Sequence, residues 1–335
     1  MRSTSGRTIA GALLGLIVAI GCVGGAPAQP EYPAGLITMI VPFAAGGPTD
    51  IVARILSQSM SARLGQQIVV ENVVGAGGTT AATRAMRSPA DGYTIVMGNM
   101  GTHAAAVALY PNLPYNPATD FEPIGMTAGM PVAVVARKDF PARNLVEFAR
   151  YLKDNGPAVR MAHAGVGSIS YTTCLLFNSI VGAKPSFAGF QGTAPATRAL
   201  VAGRVDYLCD QIAAEVPQIN AGAVRAYAVG SATRNPALPT VPTAEEAGLA
   251  AFNVSPWNAL FAPKGTPDAV IRRLNAALSD ALDDASTRAQ LLELGSEIPD
   301  RKARTPEALA ALVRAETARW IPVIRWATAQ EKEKD

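Results

Sequence analysis

Short apolar runs alternate with amphipathic stretches along most of this chain. Six runs have the length and composition of strands: LITMIV (36–41), QIVVEN (67–72), YTIVMG (93–98), VRMAHA (159–164), VDYLCD (205–210) and VRAYAVG (224–230). Between them, apolar positions recur at helical spacing over 49–63, 79–87, 144–154, 169–181 and 194–202. Strand followed by helix at this spacing predicts an α/β fold with parallel-rich sheets flanked by helices. The segment Phe121 to Arg137 holds two apolar runs around TAGMP and predicts a crossing between two lobes. A late apolar segment, FNVSPWNALFAP (252–263), precedes helical patterns at 267–284, 286–294 and 306–325, so the C-terminal part is expected to return to the first lobe. The reading is a two-lobed α/β protein, with lobe 1 from 29–130 and 250–335 and lobe 2 from 131–249. In such sheets ligands bind at the carboxyl ends of strands, where helix N-termini gather.

The first 28 residues are of different material. Arg2 and Arg7 precede an uncharged stretch from Ile9 to Val23, and Ala26-Pro27-Ala28 offers small residues for cleavage. This predicts a cleavable signal peptide over 1–28 and an exported protein, which the family resemblance described below would place in the periplasm. The apolar stretch is short for a membrane anchor, and Ala19 before Gly21-Cys22 departs from a lipoprotein signal. Removing Arg2 and Arg7 from 29 basic residues leaves 27 against 26 acidic ones. With no basic run, nucleic acid is not an expected partner. Two cysteines follow the leader, Cys174 and Cys209. In an oxidising compartment they are either a disulfide or two buried thiols, and the residues leave both open.

Candidate chemistry concentrates in the strand-to-helix turns. VPFAAGGPTDIVAR (41–54) leaves a strand, turns at Gly46-Gly47 and enters a helix at Pro48. Proline suits that position, since its missing N–H would be unpaired there anyway. Asp50 falls where a carboxylate reaches back to the cap. Free N–H groups near Gly46, Gly47 and Thr49 are expected to converge on one point, favourable for an anion. Gly47 is expected to need glycine for the turn and for close ligand approach. NVVGAGGTT (72–80), GNMGTH (98–103), AHAGVGSIS (162–170) and FQGTAPA (190–196) repeat the design. Turns 42–50, 164–170 and 190–196 carry no Lys or Arg, so a ligand there would be held by N–H groups and hydroxyls. Carboxylates accept such bonds well.

Enzyme signatures are missing. His103 and His163 are the two histidines, and neither lies in an HExxH pattern. No G-x-S-x-G elbow, phosphate loop, complete dinucleotide fingerprint, C-x-x-C or acidic metal cluster occurs in the sequence. The residues therefore offer no candidate machinery for catalysis, and the expectation is not an enzyme; the family resemblance described next further implies no bound metal and no cofactor.

Seven segments in order, ITMIVPFAAGGPTDIVAR, VVENVVGAGG, PADGYTIVMGNMGTHA, LPYNPATDFEPIG, VAGRVDYLCD, NPALPTVPTAEEAGL and WNALFAPKGTP, resemble the solute-binding receptors of tripartite tricarboxylate transporters, the Bug family. The resemblance spans about Tyr32 to Trp320. It implies a monomeric Venus-flytrap receptor that closes on a small organic acid and passes it to a membrane permease. The same cleft would equally serve a receptor presenting its ligand to a signalling partner. Carried over position by position, the resemblance implies ligand contacts at Phe43, Ala44, Gly47, Thr49 and Asp50. Further ones are Asn99, Thr102 and His103, and in the second lobe Gly167, Ser168, Ser170, Gly192, Thr193 and Asp210. Where the family often has His, this chain has Tyr171. Where it often has Tyr-Lys-Gly, this chain has Phe190-Gln191-Gly192. Losing a cation at each place argues against a highly charged tricarboxylate and leaves room for a mono- or dicarboxylate or an aromatic acid, with Phe43, Tyr171 and Phe190 either an aromatic wall or ordinary packing.

Overall fold

The first apolar run forms β1 (Ile37–Val41), whose residues divide between two cores because successive side chains of a strand point to opposite faces. Ile37, Met39 and Val41 pack with Val52, Leu56 and Met60 of α1 (Pro48–Leu64), while Ile40 enters the core on the other face. Burial on both faces explains why the run is apolar throughout. A computed structural model describes residues 32–332, so the expected leader, 1–28, lies outside the described residues.

The chain continues through β2 (Ile68–Asn72), α2 (Thr79–Met86) and β3 (Thr94–Asn99), and β1 pairs with both other strands in parallel. A π turn at Gly101–Ala105 runs into α3 (Ala106–Leu109), followed by β4 (Phe121–Gly129). Met130 and Pro131 then lead to β5 (Val132–Arg137), the first strand of a second sheet. That sheet is built with α4 (Leu145–Asn155), β6 (Arg160–His163), α5 (Ile169–Val181), β7 (Ser186–Gly189), α6 (Thr193–Val201), β8 (Tyr207–Gln211), α7 (Val216–Asn220) and β9 (Val224–Val229). The return strand β10 (Trp257–Pro263) and helices α8 (Asp268–Asp283), α9 (Ala285–Glu293) and α10 (Pro306–Lys332) complete the first lobe.

Each sheet has five strands, in the orders β2-β1-β3-β10-β4 and β7-β6-β8-β5-β9. The parallel expectation holds for three strands of each. β10 runs antiparallel to β3 and β4, and β5 runs antiparallel to β8 and β9. In both sheets the antiparallel strand is the one that arrives from the other lobe. Apolar content alone does not reveal direction. Ser186–Gly189 was not expected as a strand: it is an edge strand, mostly exposed, and so carries no apolar run.

Helix α10 extends past the expected end at 325 and ties the lobes together. Its Leu309, Val313, Trp320 and Ile324 enter a core shared with Phe121 and Phe261 of the first lobe and Phe148, Phe177 and Tyr207 of the second. Burying one large apolar side chain contributes about 1.5–3 kcal/mol, so this helix is a strong common support. Cys174 on α5 and Cys209 on β8 are neighbours in the same core, and the structure holds them as free, fully buried thiols. The disulfide alternative is thus corrected to the buried-thiol one. Burial and the hydrogen bond to Cys209 push the Cys174 thiol well above its usual range, which makes it a poor nucleophile.

Candidate functional site

Pro48 opens α1 at a helix start with no side-chain cap, so the first N–H groups of that helix stay open toward the space between the lobes. Asp50 reaches back as expected. Its Oδ2 accepts from Gly46 N at 2.8 Å and from Arg54 Nε at 2.9 Å, and its Oδ1 accepts from Asn72 Nδ2 at 2.8 Å. Burial pushes this carboxyl up, but the bonds from Arg54, Gly46 and Asn72 together outweigh it and hold the pKa below the usual carboxylate range. Asp50 is an ionised brace beneath the turn and does not line the cleft.

Two expectations about the turn are corrected. The Gly46 N–H is taken by Asp50 and the Ala44 N–H by Gln191 O at 3.1 Å, so neither is free for an anion. Gly47 adopts φ −83 and ψ 167, ordinary extended backbone. A Cβ built there would sit 3.5 Å from the Thr193 Cβ, a normal contact, so nothing at Gly47 demands glycine.

Three elements of the first lobe meet beside this turn. Asn99 Nδ2 at the end of β3 lies 3.5 Å from Thr49 Oγ1 on α1, which donates to Asn258 Oδ1 on β10 at 3.2 Å. Asn258 Nδ2 is buried without a partner. Thr102 lies one layer back: its N–H donates to Asn99 Oδ1 at 3.0 Å and its Oγ1 accepts from Asn99 N at 3.1 Å, which fixes the turn after β3. His103 is a correction. Its ring stacks on Phe261 at 4.0 Å, away from the cleft, and Nδ1 lies 2.9 Å from Thr102 Oγ1. Burial pushes its pKa down to about 3, so it is a neutral core residue.

The second lobe supplies hydroxyls and a carboxyl. Ser168 caps α5 by accepting from Tyr171 N at 3.2 Å, and Ser170 Oγ accepts from Ala164 N at 2.9 Å. The two serine oxygens are 3.2 Å apart. Thr193 Oγ1, at the uncapped start of α6, donates to Asp210 Oδ2 at 2.5 Å, and Gln211 N donates to Asp210 Oδ1 at 2.8 Å. Burial pushes the Asp210 pKa up to about 6 against the pull of Thr193, Gln211 and Ser170. Next to it, burial pushes Glu215 up to about 8, with Thr197 opposing and Asp210 adding to the rise.

The lobes touch on both flanks of the cleft. Ala44 N donates to Gln191 O on one side, and Tyr110 Oη lies 2.5 Å from Val166 O on the other. Glycine is required at these contacts. A Cβ on Gly77, at φ 61, would lie 1.6 Å from Val166 O, and one on Gly192, at φ 154, would lie 2.8 Å from Ala44 N. Gly167 packs on the Tyr110 ring. Ala44, Gly167 and Gly192 therefore belong to the closure contacts, and the structure is a closed form.

Eight expected residues line the enclosed space: Phe43, Gly47, Thr49 and Asn99 from one lobe, and Ser168, Ser170, Thr193 and Asp210 from the other. No Lys or Arg is among the described residues that line it. The aromatic-wall alternative reduces to Phe43, because Tyr171 packs on His163 and Phe187, and Phe190 borders a separate recess. Sequence reasoning missed Gln211, which lines the cleft with its Nε2 buried and unpartnered, and Asn258 just behind. Both carried a legible signal: each is a neutral amide at or inside an apolar strand, where a polar group needs a partner.

Comparison with known proteins agrees with this geometry. The family model described as "Tripartite tricarboxylate transporter family receptor" matches residues 52–328. Protein BugT of Bordetella pertussis is 31% identical over 322 residues, spanning 96% of this chain and 98% of BugT. MatC from Rhodopseudomonas palustris, solved with bound malate, has a TM-score of 0.86 at 48% identity, over 88% of this chain and 100% of that one. A second R. palustris protein, solved with adipate, has a TM-score of 0.84 at 32% identity, over 89% of this chain and 99% of that one.

Proposed function

Since this chain belongs to the receptor family of tripartite tricarboxylate transporters, we propose that it captures a small dicarboxylate in the periplasm and hands it to the permease of such a transporter. The observation that carries the reading is the chemistry of the closed cleft. Its walls offer hydroxyls, open helix N–H groups and unpartnered amide donors from both lobes, and no cation. A buried donor without a partner costs about 1–3 kcal/mol, and a carboxylate accepting from several such donors removes that cost. Gln211 Nε2 and Asn258 Nδ2 are two of these donors. In this reading Gly47 and Thr49 hold the acid from the first lobe, and Ser168, Ser170 and Thr193 hold it from the second. The malate and adipate of the two neighbours support a dicarboxylate of four to six carbons as the class.

Closure then follows from shared donors: the ligand completes bonds that neither lobe completes alone. We take the hinge to be the Met130-Pro131 crossing together with the segment between β9 and β10, and the working form to be a monomer exported by the leader at 1–28. The test is mass spectrometry of small molecules released from protein freshly purified from the periplasm, followed by calorimetric titration with malate, succinate and adipate. A released dicarboxylate and saturable heat with at least one of the three are expected. Release of a cationic or uncharged solute, with no heat from any of the acids, overturns the reading.

A further inference from the structure

The cleft is built for an anion, yet among the described residues its lining presents one carboxyl, Asp210, and no cation. Asp210 is 2% exposed and lines the cleft. Glu215, fully buried, follows five residues later, with Oε1 accepting from Thr197 Oγ1 at 2.5 Å and Oε2 without a partner. From β5, Asp210 meets the neutral Ala133, its register partner. From its own strand and α5 it meets the thiols of Cys209 and Cys174, from α6 Thr193, and from the segment after β8 Glu215. His163, at the end of neighbouring β6, turns to Tyr171 and Phe187. Across the cleft, Asp50 is engaged by Arg54 and His103 is stacked in the core. Among the described residues no cationic side chain faces Asp210; its carboxyl is offset only by bonds from Thr193, Ser170 and the Gln211 N–H, and a bound carboxylate adds a second negative charge.

Two like charges about 5 Å apart in a partly buried site repel strongly enough to lower affinity on the order of a hundredfold. A proton on Asp210 removes that repulsion and turns one carboxyl oxygen into a donor. Resting on the receptor reading above, we propose that the ligand dianion is bound together with one proton, held by the Asp210 carboxyl. The balance is simple: the acid enters ionised, one proton comes from solvent, and no bond of the ligand breaks. Burial pushes Glu215, behind the cleft, up to about 8, which favours its neutral form beside Asp210.

The proposal is specific about slope and residue. With the free Asp210 titrating near 6, the Kd for malate should weaken roughly fifteenfold between pH 6 and 7.5, where the carboxyls of malate stay ionised. Calorimetry at pH 7.5 in buffers of different ionisation heat should count about 0.7 proton taken up per malate, the hundredfold preference for the protonated form carrying the bound group two units above the free one. Asp210→Asn, an uncharged isostere with a donor, should bind with a Kd independent of pH, no proton uptake, and affinity at pH 7.5 at least as tight as wild type. Glu215→Gln should keep the wild-type slope, and a melting curve on each variant checks folding. A wild-type Kd that is flat over this range, with zero proton uptake, overturns the proposal while leaving the receptor reading intact. In that case Asp210 stays ionised and accepts from a ligand hydroxyl. Loss of the slope in Glu215→Gln overturns the assignment to Asp210. Absence of heat with malate, succinate and adipate at every pH sinks the receptor reading and this proposal together.

Discussion

Asp50, in the first turn of α1 of the first lobe, and Asp210, near the end of β8 of the second, are each 2% exposed. Asp50 accepts from a guanidinium, an amide side chain and a backbone N–H, and stays ionised below its usual range. Asp210 accepts from neutral hydroxyls and one backbone N–H, and burial lifts its pKa to about 6. The difference is the partner, since burial alone pushes both upward. The two lobes thus carry a rigid brace on one side and a titratable wall on the other. The first lobe supplies shape, and the second supplies a group that responds to charge.

The comparison is most easily broken where the lobes touch. Gly77→Val puts a side chain onto Val166 O, and since this flank contact lies apart from the two sheets and from the core that joins the lobes, closure should fail while the sheets stay folded. Ligand affinity should drop about a hundredfold or more, the left-handed φ of 61 should also lower the melting temperature, and small-angle scattering should show no contraction on adding malate. Wild-type affinity in this variant would show that the flank contact is not part of closure.

A second and smaller effect separates the two carboxyl environments by the sign of their pH dependence. Asp210 and Glu215 have raised folded-state pKa values, about 6 and about 8. The folded protein therefore binds more protons than the unfolded one between pH 4 and 8, and stability falls as pH rises through that window. Asp50 has a lowered pKa, so its stabilisation is full above about pH 4 and is lost as pH falls further. Glu215→Gln should recover on the order of 3 kcal/mol of the stability lost between pH 5 and 8, read from denaturant unfolding of the ligand-free protein. A wild-type stability that rises across this window would reverse the assignment of the second lobe.

The smallest expected effect is at Gly47. Its extended backbone and the 3.5 Å spacing to Thr193 leave room for a methyl group, so Gly47→Ala should change malate affinity by less than about threefold. A loss of tenfold or more in calorimetric titration would mean that the ligand itself fills the space beside Gly47.

Much of this was legible in the chain of residues. The strand and helix runs, the crossing near Met130 and the return at 252–263 follow from apolar period and turn chemistry, and eight of the cleft-lining residues from the family resemblance. These are local properties: a period of two or 3.6 and a proline or glycine at a helix start record the environment of each residue in its own neighbourhood. Tertiary structure alone decided the rest. That His103 stacks on Phe261, that Gln191 meets Ala44, and that glycine is needed at Gly77 rather than Gly47 depend on pairs far apart in the chain. The direction of β5 and β10 came from the same source, because a strand buried on both faces reads alike whichever way it runs. So did the contrast between Asp50 and Asp210. An aspartate's letter is the same in both places, and its charge is set by whether folding brings it an arginine or a wall of hydroxyls.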